Sequence, residues 1–157
     1  MTLSDLGNIG EFVGALAVLV TLAYLALQIR QSSGTTRAQI RQSLADSQIQ
    51  YLNARATDPF LRGVVAKMRS GQELDAAEIP GFQSHVIAHV RLFENYFAQY
   101  ALGTMDPEDW RAMREVIKAQ FRFAPYRSAF SLLDNAWNSK FSAEINQILD
   151  EIDDPAV

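Results

Sequence analysis

IGEFVGALAVLVTLAYLALQI, residues Ile9 to Ile29, is the stretch that decides the architecture of this chain. Only Glu11 and Gln28 interrupt its apolar character, and both lie near its ends. As a helix it spans about 30 Å, which matches the hydrocarbon core of a bilayer. A helix also satisfies its own backbone hydrogen bonds in lipid. The stretch therefore predicts one transmembrane helix rather than the core helix of a soluble protein.

A cleavable signal peptide is the alternative interpretation of an apolar stretch near an N-terminus. Such a peptide has basic residues before the apolar stretch and a cleavage motif of small residues after it. Here no Lys or Arg precedes Arg30, and the stretch runs into Leu-Gln-Ile-Arg. We therefore expect an uncleaved anchor.

Charge is distributed unevenly along the 157 residues, whose formal net charge is −4. Residues 30–69 contain seven basic and two acidic side chains, whereas residues 70–157 contain seven basic and fourteen acidic ones. A domain that binds nucleic acid through general electrostatics is typically basic throughout, so we expect no nucleic-acid partner. The basic residues next to the anchor are instead expected at the surface of the lipid bilayer: Arg30, Arg37 and Arg41.

The same three arginines predict the orientation of the chain. Basic residues follow the anchor and none precedes it, so the positive-inside rule places the C-terminal part in the cytoplasm. The predicted organisation is a periplasmic N-terminus with the transmembrane helix over residues 1–31, and a cytoplasmic helical domain over residues 32–157. The predicted location is the bacterial inner membrane.

Small residues recur at alternating three- and four-residue spacing along one face of the anchor. Glycine is frequent in transmembrane helices in general, but small residues also allow two helix backbones to approach closely in lipid. We therefore interpret this face as a candidate helix contact, either with a second copy of the chain or with another membrane protein. The small-residue face consists of Gly7, Gly10, Gly14, Ala17 and Thr21.

Helical periodicity continues after the anchor, and no segment alternates as a strand would. The sequence predicts an all-α fold, with one N-terminal transmembrane helix followed by a cytoplasmic bundle of about five helices. A bend or break is expected at Gln31–Thr36, which is poor in helix formers. Asp58-Pro59 predicts a helix start, and Gly71 and Gly103 predict helix ends.

The helix that runs to about Leu102 is predicted to be the central one, because its apolar arc is wide. Arg91 and Glu94 point away from that arc, so we expect them to form a solvated ion pair. The next helices are predicted around Trp110 to Phe121 and around Tyr126 to Trp137. The apolar stripe of the central helix consists of Phe82, Val86, Val90, Phe93 and Phe97.

Residues suited to chemistry are scarce. The absence of cysteine excludes disulfides, thiolate zinc sites and cysteine nucleophiles. His85 and His89 have the spacing of half a metal site, but nothing indicates a third ligand, so a role in a helix contact is preferred. No catalytic triad, phosphate-binding loop or pair of catalytic carboxylates is recognisable. We therefore expect no catalytic residue, no metal ligand, no cofactor and no enzymatic activity.

The segment Gly14 to Gln31, which ends Tyr-Leu-Ala-Leu-Gln-Ile-Arg-Gln, resembles a group of bacterial single-pass membrane proteins of uncharacterised role. In those proteins an N-terminal anchor with a similar Gln-Ile-Arg-Gln ending precedes an aromatic-rich helical cytoplasmic domain. The likeness extends to Asp58-Pro59, to Arg91-Leu-Phe-Glu-Asn-Tyr96 and to Trp110. The resemblance implies this architecture and no particular chemistry.

Three functions are compatible with these features. The leading hypothesis is a homo-oligomeric inner-membrane scaffold or interaction protein that assembles through the small-residue face. One alternative is an oligomeric ion-conducting pore, with Thr21 and Gln28 facing its lumen. The other is an accessory single-pass subunit of a larger membrane complex.

Overall fold

The computed structural model describes residues 3–154, and this part of the chain contains six α-helices and no strand. The predicted all-α fold is confirmed, with five helices after the long N-terminal one. The chain divides into two compact units, Met1–Ile40 and Arg41–Val157. The helices are α1 (Leu3–Thr57), α2 (Pro59–Arg69), α3 (Ile79–Ala101), α4 (Pro107–Phe121), α5 (Ala124–Leu132) and α6 (Ser139–Asp153), with a 3-10 turn at Asp134–Ala136.

The first unit consists of the N-terminal part of α1. Within the described residues, α1 is the one helix that is long and apolar enough to cross a membrane. No side chain in its apolar window is buried inside the protein, and Phe12, Leu19 and Leu27 are among its exposed large side chains. The predicted long apolar helix near the N-terminus is confirmed.

Of the predicted bend or break at Gln31–Thr36, the break is wrong, because α1 remains helical through this segment. Its hydroxyl groups donate hydrogen bonds to carbonyl oxygens four residues earlier. Ser33 Oγ donates to Ile29 O at 2.9 Å and Thr36 Oγ1 to Ser32 O at 3.0 Å. Hydroxyl groups bonded in this way leave the backbone hydrogen bonds of the helix in place, although such bonds often bend a helix.

The second unit begins with the last part of α1, and the predicted capping residues separate its helices. Asp58 caps α2 by accepting hydrogen bonds from Phe60 N at 2.8 Å and Leu61 N at 3.3 Å. Gly71 and Gly103, which follow α2 and α3, have φ angles of 71° and 70°. This left-handed conformation favours glycine and ends a helix.

Helix α3 is the centre of the bundle, as predicted, and packs against α4, α5 and α6. Val86, Val90 and Phe93 of the predicted stripe are buried, whereas Phe82 and Phe97 are half-buried. From the flank of the stripe, Tyr96 is also buried, and its hydroxyl donates to Leu44 O of α1 at 3.1 Å. The other helices contribute buried side chains that include Ile117, Phe121, Phe141, Ile145 and Ile148.

The helix predicted around Tyr126 to Trp137 ends earlier, at Leu132. The indole of Trp137 explains the early end, because it turns back to donate to Phe130 O at 2.8 Å. The Arg91 guanidinium lies 4.1 Å from the centre of the Trp137 ring and also donates to Glu94. The expected solvated Arg91–Glu94 pair is thus partly exposed and takes part in packing.

Candidate functional site

A stack of three aromatic rings joins the end of α1 to the beginning of α3. The Tyr51 ring lies between the two imidazoles, with ring centres 4.4 Å from His85 and 3.9 Å from His89. The rings are nearly parallel, at 12° and 17°. The four-residue spacing of the histidines places both on one helical face, with room for a ring between them. We call these three residues the ring stack.

The ring stack changes the interpretation of the histidine pair as half a metal site. Because the Tyr51 ring separates the two imidazoles, they cannot bind one ion together. The residues that the structure describes also contain no group of three or more His, Cys, Asp or Glu side chains suited to a metal ion. The spacing therefore serves the contact between helices.

A hydrogen-bonded group continues the stack toward α5. His89 Nδ1 lies 2.7 Å from the Tyr126 hydroxyl, and that hydroxyl lies 3.4 Å from the Tyr51 hydroxyl. On their other side, the Nε2 atoms of His85 and His89 are buried and have no hydrogen-bond partner among the described residues. Unpartnered buried nitrogens are uncommon in proteins and mark a place where another polar group fits.

Burial keeps this group uncharged near neutral pH. Loss of solvation lowers the pKa of His89 to about 3, and the adjacent His85 and Arg55 act in the same direction. Burial likewise lowers the pKa of His85 and raises the pKa values of Tyr51 and Tyr126. The ring stack is therefore a set of neutral hydrogen-bonding groups inside a low-dielectric environment.

A cavity of about 360 Å³ opens beside the ring stack. Its polar wall includes Arg55, Gln120 and Tyr126, together with Tyr51 and His85 of the stack. The rest of its wall is apolar and comes from α2, α3, the connection between α4 and α5, and the first turn of α5: Val65, Met68, Phe82, Val86, Phe123 and Pro125.

Among the residues that the structure describes, Arg55 is the one charged residue on the wall of this cavity. It makes no ion pair or side-chain hydrogen bond with any residue that the structure describes. Asp58, three residues later, uses its carboxylate to cap α2. Arg55 and Val65 also border a more open groove that contains Arg62. A half-buried guanidinium beside a mostly apolar cavity can hold an anionic group.

Sequence reasoning identified the histidines and missed the rest of the cavity. Arg55 follows Tyr51 by one helical turn, and this spacing is the signal that links the two residues. Met68 and Phe123, by contrast, are brought to the cavity by tertiary packing, and no local pattern marks them. Among the described residues the arrangement offers one cation and several neutral hydrogen-bonding groups beside an apolar wall, a combination that can hold a small anionic molecule.

The small-residue face of α1 lies in the first unit. Apart from the adjacent residues and the backbone of the helix itself, no described atom lies within 4 Å of the position that a Cβ would take on Gly10 or Gly14. Thr21 Oγ1 donates to Ala17 O at 2.8 Å, so its hydroxyl is satisfied within the helix. The surroundings of Gly7 lie outside the described residues.

The predicted membrane-surface arginines differ in their surroundings. Arg30 and Arg37 are exposed on α1. Arg41 forms ion pairs with Asp106 and Asp109 at the start of α4, and the distance to Asp106 is 3.1 Å. The positive charge of Arg41 is therefore partly balanced by two carboxylates of the bundle.

Arg114 of α4 is the centre of an ion-pair network with α6. Its guanidinium donates to Glu144 Oε1 at 2.7 Å and to both oxygens of Glu151, and Lys118 lies 3.0 Å from the same carboxylate. The two basic residues hold the pKa of Glu151 at about 2. Every charge in this network has a partner, so its role is to fix α6 on α4.

Comparisons with models of protein families, with curated proteins and with solved structures found no match for this chain.

Proposed function

We propose that the chain is a bacterial inner-membrane scaffold that self-associates through the small-residue face of α1. The observation that carries the proposal is the apolar part of α1, in which no side chain is buried within the protein. Exposure of so many large apolar side chains to water is unfavourable, and a lipid environment removes that cost.

The orientation is part of the proposal, with the N-terminus in the periplasm and the helical bundle in the cytoplasm. It is supported by the exposed basic residues Arg30 and Arg37, which follow the apolar stretch. The resemblance to bacterial single-pass membrane proteins supports the choice of membrane.

Self-association is supported by the open space at Gly10 and Gly14. Between lipid-embedded helices the hydrophobic effect is absent, so association depends on close packing, which small residues permit. Tight packing of this kind favours a scaffold over an open pore.

Oligomeric mass tests the assembly, because two alanines of α1 provide a matched pair of substitutions. Ala17 lies on the small-residue face, whereas Ala23 lies roughly on the opposite side of the helix. Native mass spectrometry of the full chain in mild detergent should show a defined oligomer. Ala17→Leu should dissociate it into monomers, and Ala23→Leu should leave its mass unchanged.

Two results would contradict self-association through the small-residue face. One is equal masses for the two leucine variants, because the small-residue face would then be irrelevant. The other is a wild-type mass equal to one chain, or explained only by a second polypeptide, which would favour an accessory subunit of a larger complex.

The absence of cysteine allows a direct test of orientation. Ser4→Cys and Ser131→Cys introduce single thiols before α1 becomes apolar and on the exposed surface of α5. A membrane-impermeant thiol reagent added outside the inner membrane should label Ser4→Cys, and it should label Ser131→Cys only after the membrane is opened. The reverse pattern would refute the proposed orientation.

A further inference from the structure

We propose that the cavity beside the ring stack binds a small monocarboxylate with an apolar body, such as an aromatic acid or a medium-chain fatty acid. This site is in the second unit and does not depend on the proposed self-association. Its volume, about 360 Å³, is within the range of small-molecule sites.

The charge on the wall favours an anion. Arg55 is half-buried and has no ionic partner among the described residues, while the nearest carboxylate in sequence, Asp58, caps α2. A guanidinium forms its strongest hydrogen bonds with a carboxylate or phosphate, often through two parallel bonds. A ligand carboxylate would therefore supply the partner that the protein itself does not.

The apolar part of the wall favours a carboxylate over a phosphate. Val65, Met68 and Phe82 offer no hydrogen-bond donor to the extra oxygens and the second charge of a phosphate. They match instead an aromatic or alkyl body, whose burial contributes about 25 cal/mol for each Å² removed from water. Met68 also adapts its shape to different apolar bodies.

The ring stack supplies a second polar contact. His85 lines the cavity, and its Nε2 atom is buried without a partner among the described residues. A neutral imidazole in the Nε2–H tautomer donates a hydrogen bond to a carboxylate oxygen. In the proposed complex the Arg55 guanidinium is the ionic partner, and the His85 ring turns to bring its Nε2–H, which is buried in the structure without ligand, to the same carboxylate.

The test uses the full chain in lipid nanodiscs, with empty nanodiscs as the reference for partitioning into lipid. Isothermal titration calorimetry measures the binding of 2-naphthoate, of its neutral analogue 2-naphthamide, and of decanoate. We expect the wild-type chain to bind one or both carboxylates, and 2-naphthamide to bind at least tenfold more weakly than 2-naphthoate. Tighter binding of 2-naphthoate indicates an aromatic ligand from solution, and tighter binding of decanoate indicates a fatty acid from the membrane.

Four variants connect binding to the cavity. Arg55→Gln should weaken carboxylate binding at least tenfold, while Arg111→Gln, at an exposed arginine elsewhere in the bundle, should not change it. His85→Phe keeps an aromatic ring against Tyr51 but has no donor, so it should weaken binding severalfold. Met68→Trp should block binding by filling the cavity.

The proposal is overturned if neither carboxylate binds above the empty nanodiscs. It is also overturned if Arg55→Gln and Arg111→Gln bind with the same affinity, because Arg55 would then not be the anionic contact. Unchanged far-UV circular dichroism in Arg55→Gln and Met68→Trp, together with unchanged tryptophan fluorescence in Arg55→Gln, would show that a loss of binding does not come from unfolding.

Discussion

Acidification to about pH 5 is expected to weaken the helical bundle by about 2 kcal/mol, because His89 is buried in its uncharged form. His89 is 3% exposed, and its pKa falls from 6.5 to about 3 on folding. Between these two values the unfolded chain binds a proton that the folded chain does not bind. The stability that the neutral form of His89 provides is therefore fully present above pH 6.5, and it decreases as the pH falls toward 3.

The size of this loss depends on how far the pH lies below 6.5, the pKa of His89 in the unfolded chain. Each pH unit is worth about 1.4 kcal/mol for one proton, so the loss at pH 5, about 1.5 units below 6.5, is about 2 kcal/mol. His85, whose pKa burial also lowers, adds to the loss in the same direction. Glu151 does not contribute in this window, because the stability that its lowered pKa provides is lost only as the pH falls below 4.5.

Urea unfolding followed by tryptophan fluorescence measures this change. Trp110 and Trp137 are the two tryptophans of the chain and both are buried in the bundle, so the signal reports on this unit. The free energy of unfolding of the full chain in mild detergent is compared at about pH 7.5 and about pH 5.

His89→Phe is the matched variant, because phenylalanine keeps a ring against Tyr51 but does not titrate. The variant is compared with the wild type only in the pH dependence of its free energy of unfolding, which should shrink to the contribution of His85. A wild-type stability that is the same at both pH values, or that falls no more than in His89→Phe, would refute the argument that burial keeps His89 neutral.

Substitutions at three further features of the bundle, with their controls, can be measured by the same urea titration at neutral pH. Phe93→Ala should destabilise the bundle by about 4 kcal/mol, because Phe93 is fully buried. Phe123→Ala, at an exposed ring, should cost less than about 0.5 kcal/mol. Similar losses of stability in the two variants would contradict the assigned core. Arg114→Met should cost about 2 kcal/mol by leaving Glu151 without its main partner, and an unchanged midpoint would show that the network contributes nothing. Asp58→Ala should cost about 1 kcal/mol through loss of the α2 cap, with Asp58→Ser as the variant that restores it.

Local signals in the sequence were sufficient for most helix boundaries. Asp58 and Gly71 act through their own backbone neighbourhood, so their positions predict where α2 begins and ends. The apolar stripe likewise identified α3 as the central helix. The break predicted at Gln31–Thr36 is wrong because low helix propensity is a weak preference, which the helical context of α1 overrides.

Contacts between helices were beyond the reach of sequence patterns. The spacing of His85 and His89 placed both on one face, but nothing local indicated that a tyrosine from α1 would lie between them. Trp137 was predicted to extend a helix, and its indole instead bonds to the end of α5. Such outcomes depend on which side chains meet from distant parts of the chain, and one sequence alone does not specify that pairing.

The contacts between the end of α1 and α3 restrict insertions and deletions in this part of α1. Leu44 meets Tyr96 and Tyr51 meets His89, so both helices contribute contacts seven residues apart, in opposite chain directions. Seven residues make nearly two helical turns, which keeps both contacts in phase. One residue inserted between Leu44 and Tyr51 would rotate the tyrosine by about 100° and move it out of the gap between the imidazoles. This part of α1 therefore tolerates substitution at its outward positions but not a change in length, because even seven inserted residues, which restore the phase, would move Tyr51 about 10 Å along the helix axis away from His89.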